Sequence, residues 1–216
     1  MLESGLLAEL VVAAATYLVV FQNEVFTRLG NDRSEAHSEW LTPTPKELEH
    51  DFLWRVHAAV AAKGDVAIFN RSHYEDVLIA RVMKLVPEAV WKRRYEAING
   101  FEQLLVDNGV VIVKFFLHIS KAEQKQRLAR RLEDATRQWK VAPEDFEQRK
   151  HWNQYMRAYE DAIDRCNAKG APWYVVPADK KWFRNLAVSE ILVATLEGLH
   201  MRLPQPTVDL ANIKLD

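Results

Sequence analysis

Val110-Val111-Ile112-Val113-Lys114-Phe115-Phe116-Leu117-His118-Ile119 decides how this chain folds. The run is dominated by β-branched and aromatic side chains, which favour a pleated backbone, and it reads as the strongest strand of the sequence. Ser120-Lys121-Ala122-Glu123 follows at once. The serine can cap a helix while the glutamate three positions on reaches back to the cap, so a helix opens here and runs to about Asp134. A strong strand passing straight into a capped helix is the repeating unit of an α/β fold.

Working outward, the same unit recurs on both sides. Upstream, Asp65 to Phe69 reads as a strand and Ser72-His73-Tyr74-Glu75 as a capping box that opens a helix through Lys84. Pro87 opens a longer helix that stops near Asn108-Gly109. Thr44-Pro45-Lys46-Glu47 starts a helix reaching about Ala61, and Tyr17 to Phe21 reads as a buried strand. Downstream, Pro143 opens a helix to about Asn167, Trp173 to Val176 is a strand, and Trp182 to Leu199 is the last long helix before a proline-bearing tail. Strands separated by helices predict a parallel sheet with right-handed crossovers. Ligands of such sheets sit beyond the carboxyl ends of the strands. That directs attention to Asn70-Arg71-Ser72, to Ile119-Ser120-Lys121, and to Pro177-Ala178-Asp179-Lys180-Lys181.

Composition narrows the function. The chain has 216 residues, 49% of them hydrophobic, which suits one domain with a sizeable core. A formal net charge of -1 supplies no global basic field for nucleic acid. The single cysteine, Cys166, excludes an intramolecular disulfide and fits a reducing, cytoplasmic setting. Leu6 to Gln22 is the one apolar stretch of spanning length, but Glu9 interrupts it and no positive charge precedes it. It reads as a buried helix running into a strand, with no membrane partner.

Three groups of residues carry candidate chemistry. Arg71, at a strand end, has a planar fork suited to phosphate oxygens, and Asn70 stands beside it. Glu75 and Asp76 can hold a metal through oxygen, although Ser72 and Glu75 also satisfy a plain helix cap. From Lys121 to Lys140 seven basic residues face three acidic ones, including Arg127, Arg130, Arg131 and Arg137. Such segregated cations suit a polyanion or a transferring phosphoryl group, with a solvated, ion-paired helix as the alternative. Asp179, Lys180 and Lys181 either pack beside a nucleotide or cap the final helix. The tryptophans, Trp139 among them, read mostly as packing residues.

These stretches, in order, resemble the polyphosphate kinase 2 family. The resemblance is carried by Glu49-His50-Asp51-Phe52-Leu53-Trp54-Arg55-Val56-His57 and by Phe69-Asn70-Arg71-Ser72-His73-Tyr74-Glu75-Asp76-Val77-Leu78. Lys114 to Lys121, Trp139-Lys140, Tyr159-Glu160-Asp161-Ala162 and Ala171 to Trp182 continue it. It covers about residues 42 to 200. The resemblance implies an α/β, P-loop core like that of nucleoside monophosphate kinases, with a parallel sheet flanked by helices and a helical lid at about 121-165. It implies phosphoryl transfer between inorganic polyphosphate and nucleoside mono- or diphosphates, with Mg2+ as cofactor and the AMP- and ADP-accepting branch as the nearer match. Asn70, Arg71 and Glu75 would be catalytic, and Glu75 and Asp76 would hold the metal. Arg71, Arg127, Arg131 and Lys140 would bind phosphate, and Asp179, Lys180 and Lys181 the nucleotide. A homo-oligomer is implied as well.

Residues 1-41 depart from the family's pattern, and 201-216 form a tail. After the strand at Tyr17 to Gln22 come Asn23-Glu24-Val25-Phe26-Thr27-Arg28-Leu29-Gly30-Asn31-Asp32, with no Gly-Lys pair. A phosphate-cradling loop needs glycines to aim successive N–H groups and a lysine to follow the transferred charge. Arg28, Asp32 or Arg33 offer only partial substitutes. Two classes of function therefore follow: a polyphosphate-dependent nucleotide kinase, or a catalytically impaired subunit that binds polyphosphate or nucleotide without turnover.

Overall fold

A computed structural model describes residues 14-22, 44-141 and 143-200, and for 14-22, Asn70 and Lys140 it describes the backbone alone. The region of the expected phosphate loop, with Arg28, Asp32 and Arg33, lies outside the described residues, as does the tail 201-216.

Four strands form one sheet in the order β2-β1-β3-β4, with β1 Ala14–Gln22, β2 Val66–Asn70, β3 Val110–His118 and β4 Trp173–Pro177. β3 and β4 pair in parallel. β1 lies between β2 and β3 and runs antiparallel to both. β2, β3 and β4 therefore share one direction, as the alternation of strands and helices predicts, and β1 is the departure from an all-parallel sheet. An apolar run has the same periodicity read in either direction, so its pattern fixes burial and leaves orientation open.

The strand β3 is buried on both faces, and its parity sorts the layers. Val113, Phe115 and Leu117 join Val176 and Ala178 under α8 (Lys181–Gly198). Val110 and Ile112 pack with Phe101 and Leu105 of α4 (Glu88–Asp107). Phe116 packs with Tyr155, Ala158, Tyr159 and Ala162 of α7 (Trp152–Arg165). The sheet is thus flanked by α4 and α7 on one side and by α8 on the other. Gly109, at a φ of 83°, makes the left-handed turn from α4 into β3 that a side chain would resist.

Several helices differ from their sequence pattern for local reasons. The helix expected from Thr44 to Ala61 is two pieces, α1 (Pro45–Leu48) and α2 (Trp54–Ala59). Between them Asp51 Oδ1 accepts the Leu53 N–H at 2.9 Å, a side-chain turn that competes with the helical ladder. The stretch after β2 is a short 3-10 turn, His73–Asp76, followed by α3 (Ile79–Val82). Ser72 caps that turn through Tyr74, with Arg71 just before it at a φ of 69°. The helix opened by Ser120 is continuous as α5 (Lys121–Glu133), whereas Pro143 to Asn167 divides at His151 into α6 (Pro143–Lys150) and α7.

Candidate active site

Because β2, β3 and β4 point the same way, their carboxyl ends open on one edge of the sheet. Tyr17 stands level with both Asn70 and Phe115, so β2 ends three residues short of His118. At roughly 3.3 Å per residue the Asn70 end is recessed by about 10 Å. Arg71, Ser120 and Asp179 follow these three ends, and two clusters form there.

The recessed cluster is built on Arg71 and Glu75. Arg71 is only 5% exposed, and its Nη1 stands 3.9 Å from Glu75 Oε1. The guanidinium is therefore buried beside a carboxylate, where the sequence suggested an arginine open to the crevice. Burial pushes the Glu75 carboxyl above its usual range, and the Arg71 charge pulls the other way. Glu75 Oε2 is buried with no hydrogen-bond donor among the described residues. Tyr155 and Tyr159 of α7 face the same pair: burial and the Glu75 charge push both phenols up, against Arg71. Asp76, one residue on, is engaged elsewhere, since Arg94 Nη1 donates to its Oδ1 at 2.8 Å and to its carbonyl at 2.9 Å. Burial raises the Asp76 carboxyl despite that partner.

The outer cluster joins α5 to the loop after β4. Arg127 Nε donates to Glu123 Oε1 at 2.8 Å, and its Nη2 donates to the carbonyl of Ala178 at 2.8 Å. Asp179 Oδ1 accepts the Ser120 N–H at 2.7 Å. α8 has no side-chain cap, so Asp179 secures the start of α5 instead of the start of its own helix. Lys180 and Lys181 stand exposed at the first turn of α8. Arg130 reaches the same Glu123 at 3.6 Å, and Arg137 pairs with Asp134 at 2.9 Å. Part of the basic segment is thus a charge-paired surface, while Lys121 and Lys125 are exposed. Arg131 is half-buried on the same helix. Trp139 is 62% exposed, whereas Trp173 is buried in the core, so the packing reading holds for some of the tryptophans and not for all.

The side chains of Asn70 and Lys140 lie outside the described residues, and only their backbone positions are fixed: at the end of β2 and in a 3-10 turn Gln138–Lys140. Arg71 and Arg127 belong to separate clusters on one edge, with Glu75 and with Asp179 respectively. Sequence reasoning missed the buried residues behind the recessed cluster, namely Tyr74, Glu102 and Lys114. The available signal was Lys114 itself, a charge in the middle of an apolar strand that demands a buried counter-ion.

Among the described residues no helix is long and apolar enough to cross a membrane. No cluster of three or more His, Cys, Asp or Glu side chains that could hold a metal is present among them.

Comparison with known proteins agrees with this architecture. A crystal structure of polyphosphate kinase 2 from Arthrobacter aurescens TC1 superposes with a TM-score of 0.76 at 47% identity, covering 78% of this chain and 60% of that one. The AMP/ADP-polyphosphate phosphotransferase of Meiothermus ruber is 56% identical over 164 residues, 76% of this chain and 61% of the relative. The ADP-polyphosphate phosphotransferase of Rhodopseudomonas palustris is 42% identical over 177 residues, with the same coverage of 76% and 61%. The chain therefore spans about three-fifths of the length of these relatives. The profile of the family described as Polyphosphate kinase 2 (PPK2) matches residues 23–204, and the chain belongs to that family.

Proposed function

We propose that this chain moves phosphoryl groups between inorganic polyphosphate and adenine nucleotides, accepting AMP and ADP. The observation that carries the reading is the shared edge of the sheet: Arg71 and Glu75, Arg127, and Asp179 all follow carboxyl ends of strands running one way. The relatives named for AMP/ADP-polyphosphate and ADP-polyphosphate phosphotransfer support the substrate class.

In this reading the terminal phosphoryl group of polyphosphate passes to an AMP phosphate oxygen, giving ADP and a chain one unit shorter. Catalysis of this kind is mostly positioning and charge neutralisation. Arg71 would meet the oxygens of the transferring group, and Asn70 would help orient them. Arg127, Arg131 and Lys140 would guide polyphosphate along the outer cluster. Asp179 would hold the loop from which Lys180 and Lys181 reach the nucleotide. The part of residues 121-165 that closes over substrate would be α5 and the turn after it, because α7 contributes its buried face to the core.

A magnesium ion would neutralise charge on the transferring phosphates. Glu75 fits that role, since its Oε2 is buried and lacks a donor among the described residues. Asp76 fits it less well, because Arg94 already occupies its carboxylate. Self-association is supported by the exposed apolar residues Trp182, Leu186 and Val193, spaced along one stripe of α8.

The test is a coupled assay for ADP formed from AMP and polyphosphate with magnesium. Turnover that falls steeply with added salt is the expected result, because salt screens the attraction between polyphosphate and the exposed basic segment. Salt-sensitive polyphosphate binding with no nucleotide product would overturn the reading in favour of a non-catalytic binding subunit.

A further inference from the structure

Behind the recessed cluster lies a charged group that the proposed reaction does not touch. Lys114 Nζ donates to Tyr74 Oη at 2.9 Å, to Glu102 Oε2 at 2.6 Å and to the Cys166 carbonyl at 2.6 Å. An ammonium has three hydrogens, and all three are used. Tyr74 Oη donates in turn to Glu102 Oε1 at 2.8 Å. His73, fully buried, brings its Nε2 within 3.4 Å of the same oxygen. Lys114 is 1% exposed and Glu102 is 2% exposed, so the ion pair is wholly desolvated.

Stability is a poor reason for such an arrangement. Apolar side chains of the same volume would hold the space as well or better, because two charges have been taken out of water. The connections are more informative. His73 and Tyr74 belong to the 3-10 turn that carries Glu75, with Arg71 immediately before it. Cys166 caps the end of α7, whose Tyr155 and Tyr159 are near enough to feel the charges of the Arg71–Glu75 pair. Lys114 sits in the middle of β3 and Glu102 on α4. One buried ammonium thus ties the turn that carries Glu75, α4 and the end of α7 to the middle of the sheet.

We propose that Lys114 and Glu102 form a positioning device that fixes the turn carrying Arg71 and Glu75 at a set spacing from α7. For its catalytic consequence this rests on the phosphotransfer reading, whereas the mechanical linkage does not. Neither residue touches substrate. They act through Tyr74 and through the carbonyl of Cys166, and their effect falls on the orientation of the reacting groups.

Tyr74→Phe removes one hydroxyl and preserves the volume of the ring, and Glu102→Gln preserves shape while removing charge. Each is compared with the unaltered chain by amide hydrogen exchange, thermal melting and AMP phosphorylation. Exchange in the segments 70-78 and 159-168 should accelerate about tenfold or more in Tyr74→Phe, which loses both the bond from Lys114 and the bond to Glu102, with the strands unchanged. Turnover should fall about 10- to 100-fold with the KM for nucleotide within about threefold, the usual pattern for a residue that orients another. Unchanged exchange in 159-168 would overturn the linkage. Lower melting temperatures with wild-type turnover would overturn positioning and leave mere structural support. A wild-type chain that transfers no phosphoryl group would refute the phosphotransfer reading alone, and faster exchange in both segments would then still establish the linkage.

Discussion

The Ser120 backbone N–H donates to Asp179 Oδ1 at 2.7 Å, joining two residues 59 positions apart. Each follows the carboxyl end of a strand, and the bond ties the start of α5 to the loop that precedes α8. Beside it, Arg127 donates to the Ala178 carbonyl at 2.8 Å, so the loop is held at two points. The outer cluster is in this sense a joint, with Asp179 as its acceptor.

Replacing Asp179 with alanine should therefore loosen the joint more than it weakens the fold. The contact is exposed, so the expected loss of stability is about 1 kcal/mol, read by urea denaturation. Turnover should drop by about tenfold as the loop loses its place. Asp179→Asn keeps an acceptor oxygen and should retain most of both properties.

Arg71 adopts a φ of 69°, which glycine occupies without steric cost. Arg71→Gly should relieve about 1 kcal/mol of backbone strain, offsetting part of the loss of its partner role. Without the guanidinium, AMP phosphorylation should fall by about 10²-fold or more. A coupled assay alongside a thermal melt separates the two effects. Activity near wild type would remove Arg71 from the reaction.

Glu75 gives the fold a pH dependence of definite sign. Its folded carboxyl is raised by burial, so the folded state binds the proton more tightly than the unfolded chain does. Stability contributed by this group is complete below the ordinary glutamate value of about 4.3 and is lost as pH rises through the raised value. Glu75→Gln should accordingly be more stable than the wild type at neutral pH, with the advantage disappearing in acid. Denaturation midpoints across this range measure it.

Glu102 behaves in the opposite sense. Burial works to raise its carboxyl, but the approach of His73 Nε2 at 3.4 Å and the charge of Lys114 outweigh that and hold it low. Its stabilisation is present above the ordinary carboxylate range and is lost as pH falls through the lowered value. Lys114→Met should cost about 3–5 kcal/mol at neutral pH, because it leaves a buried carboxylate without its partner. The double variant with Glu102→Gln should recover part of that loss, and melting temperatures of the three proteins test the coupling.

Much of this was legible in the chain. The apolar runs gave β2, β3 and β4, and the strand-end rule pointed to Arg71, Ser120 and Asp179. Ser120 caps α5 through the Glu123 N–H as expected, but the reciprocal half of the capping box does not form, because the Ser120 N–H goes to Asp179 and the Glu123 carboxylate to Arg127. The buried charge network was readable in part. Tyr95, Ile98, Glu102 and Leu105 lie on one helical stripe, so a glutamate at that position announces a buried acid. Ile112, Lys114 and Phe116 alternate on the matching strand face. Local competition hid other features: Asp51 broke a helix that propensity alone would have continued.

The order of strands and helices, the depth of the core and the residues placed at the strand ends were determined by the sequence itself, because periodicity and capping act over three or four neighbours. The direction of β1, the burial of Arg71 beside Glu75, the choice of Ser120 as the partner of Asp179 and the three acceptors around Lys114 were decided only by the tertiary structure. Most of those features depend on which backbones become adjacent across 40 or more positions, and even Glu102 and Lys114 stand 12 apart on different elements. A short-range pattern leaves such choices open, and only the register of the packed sheet and its helices selects among them.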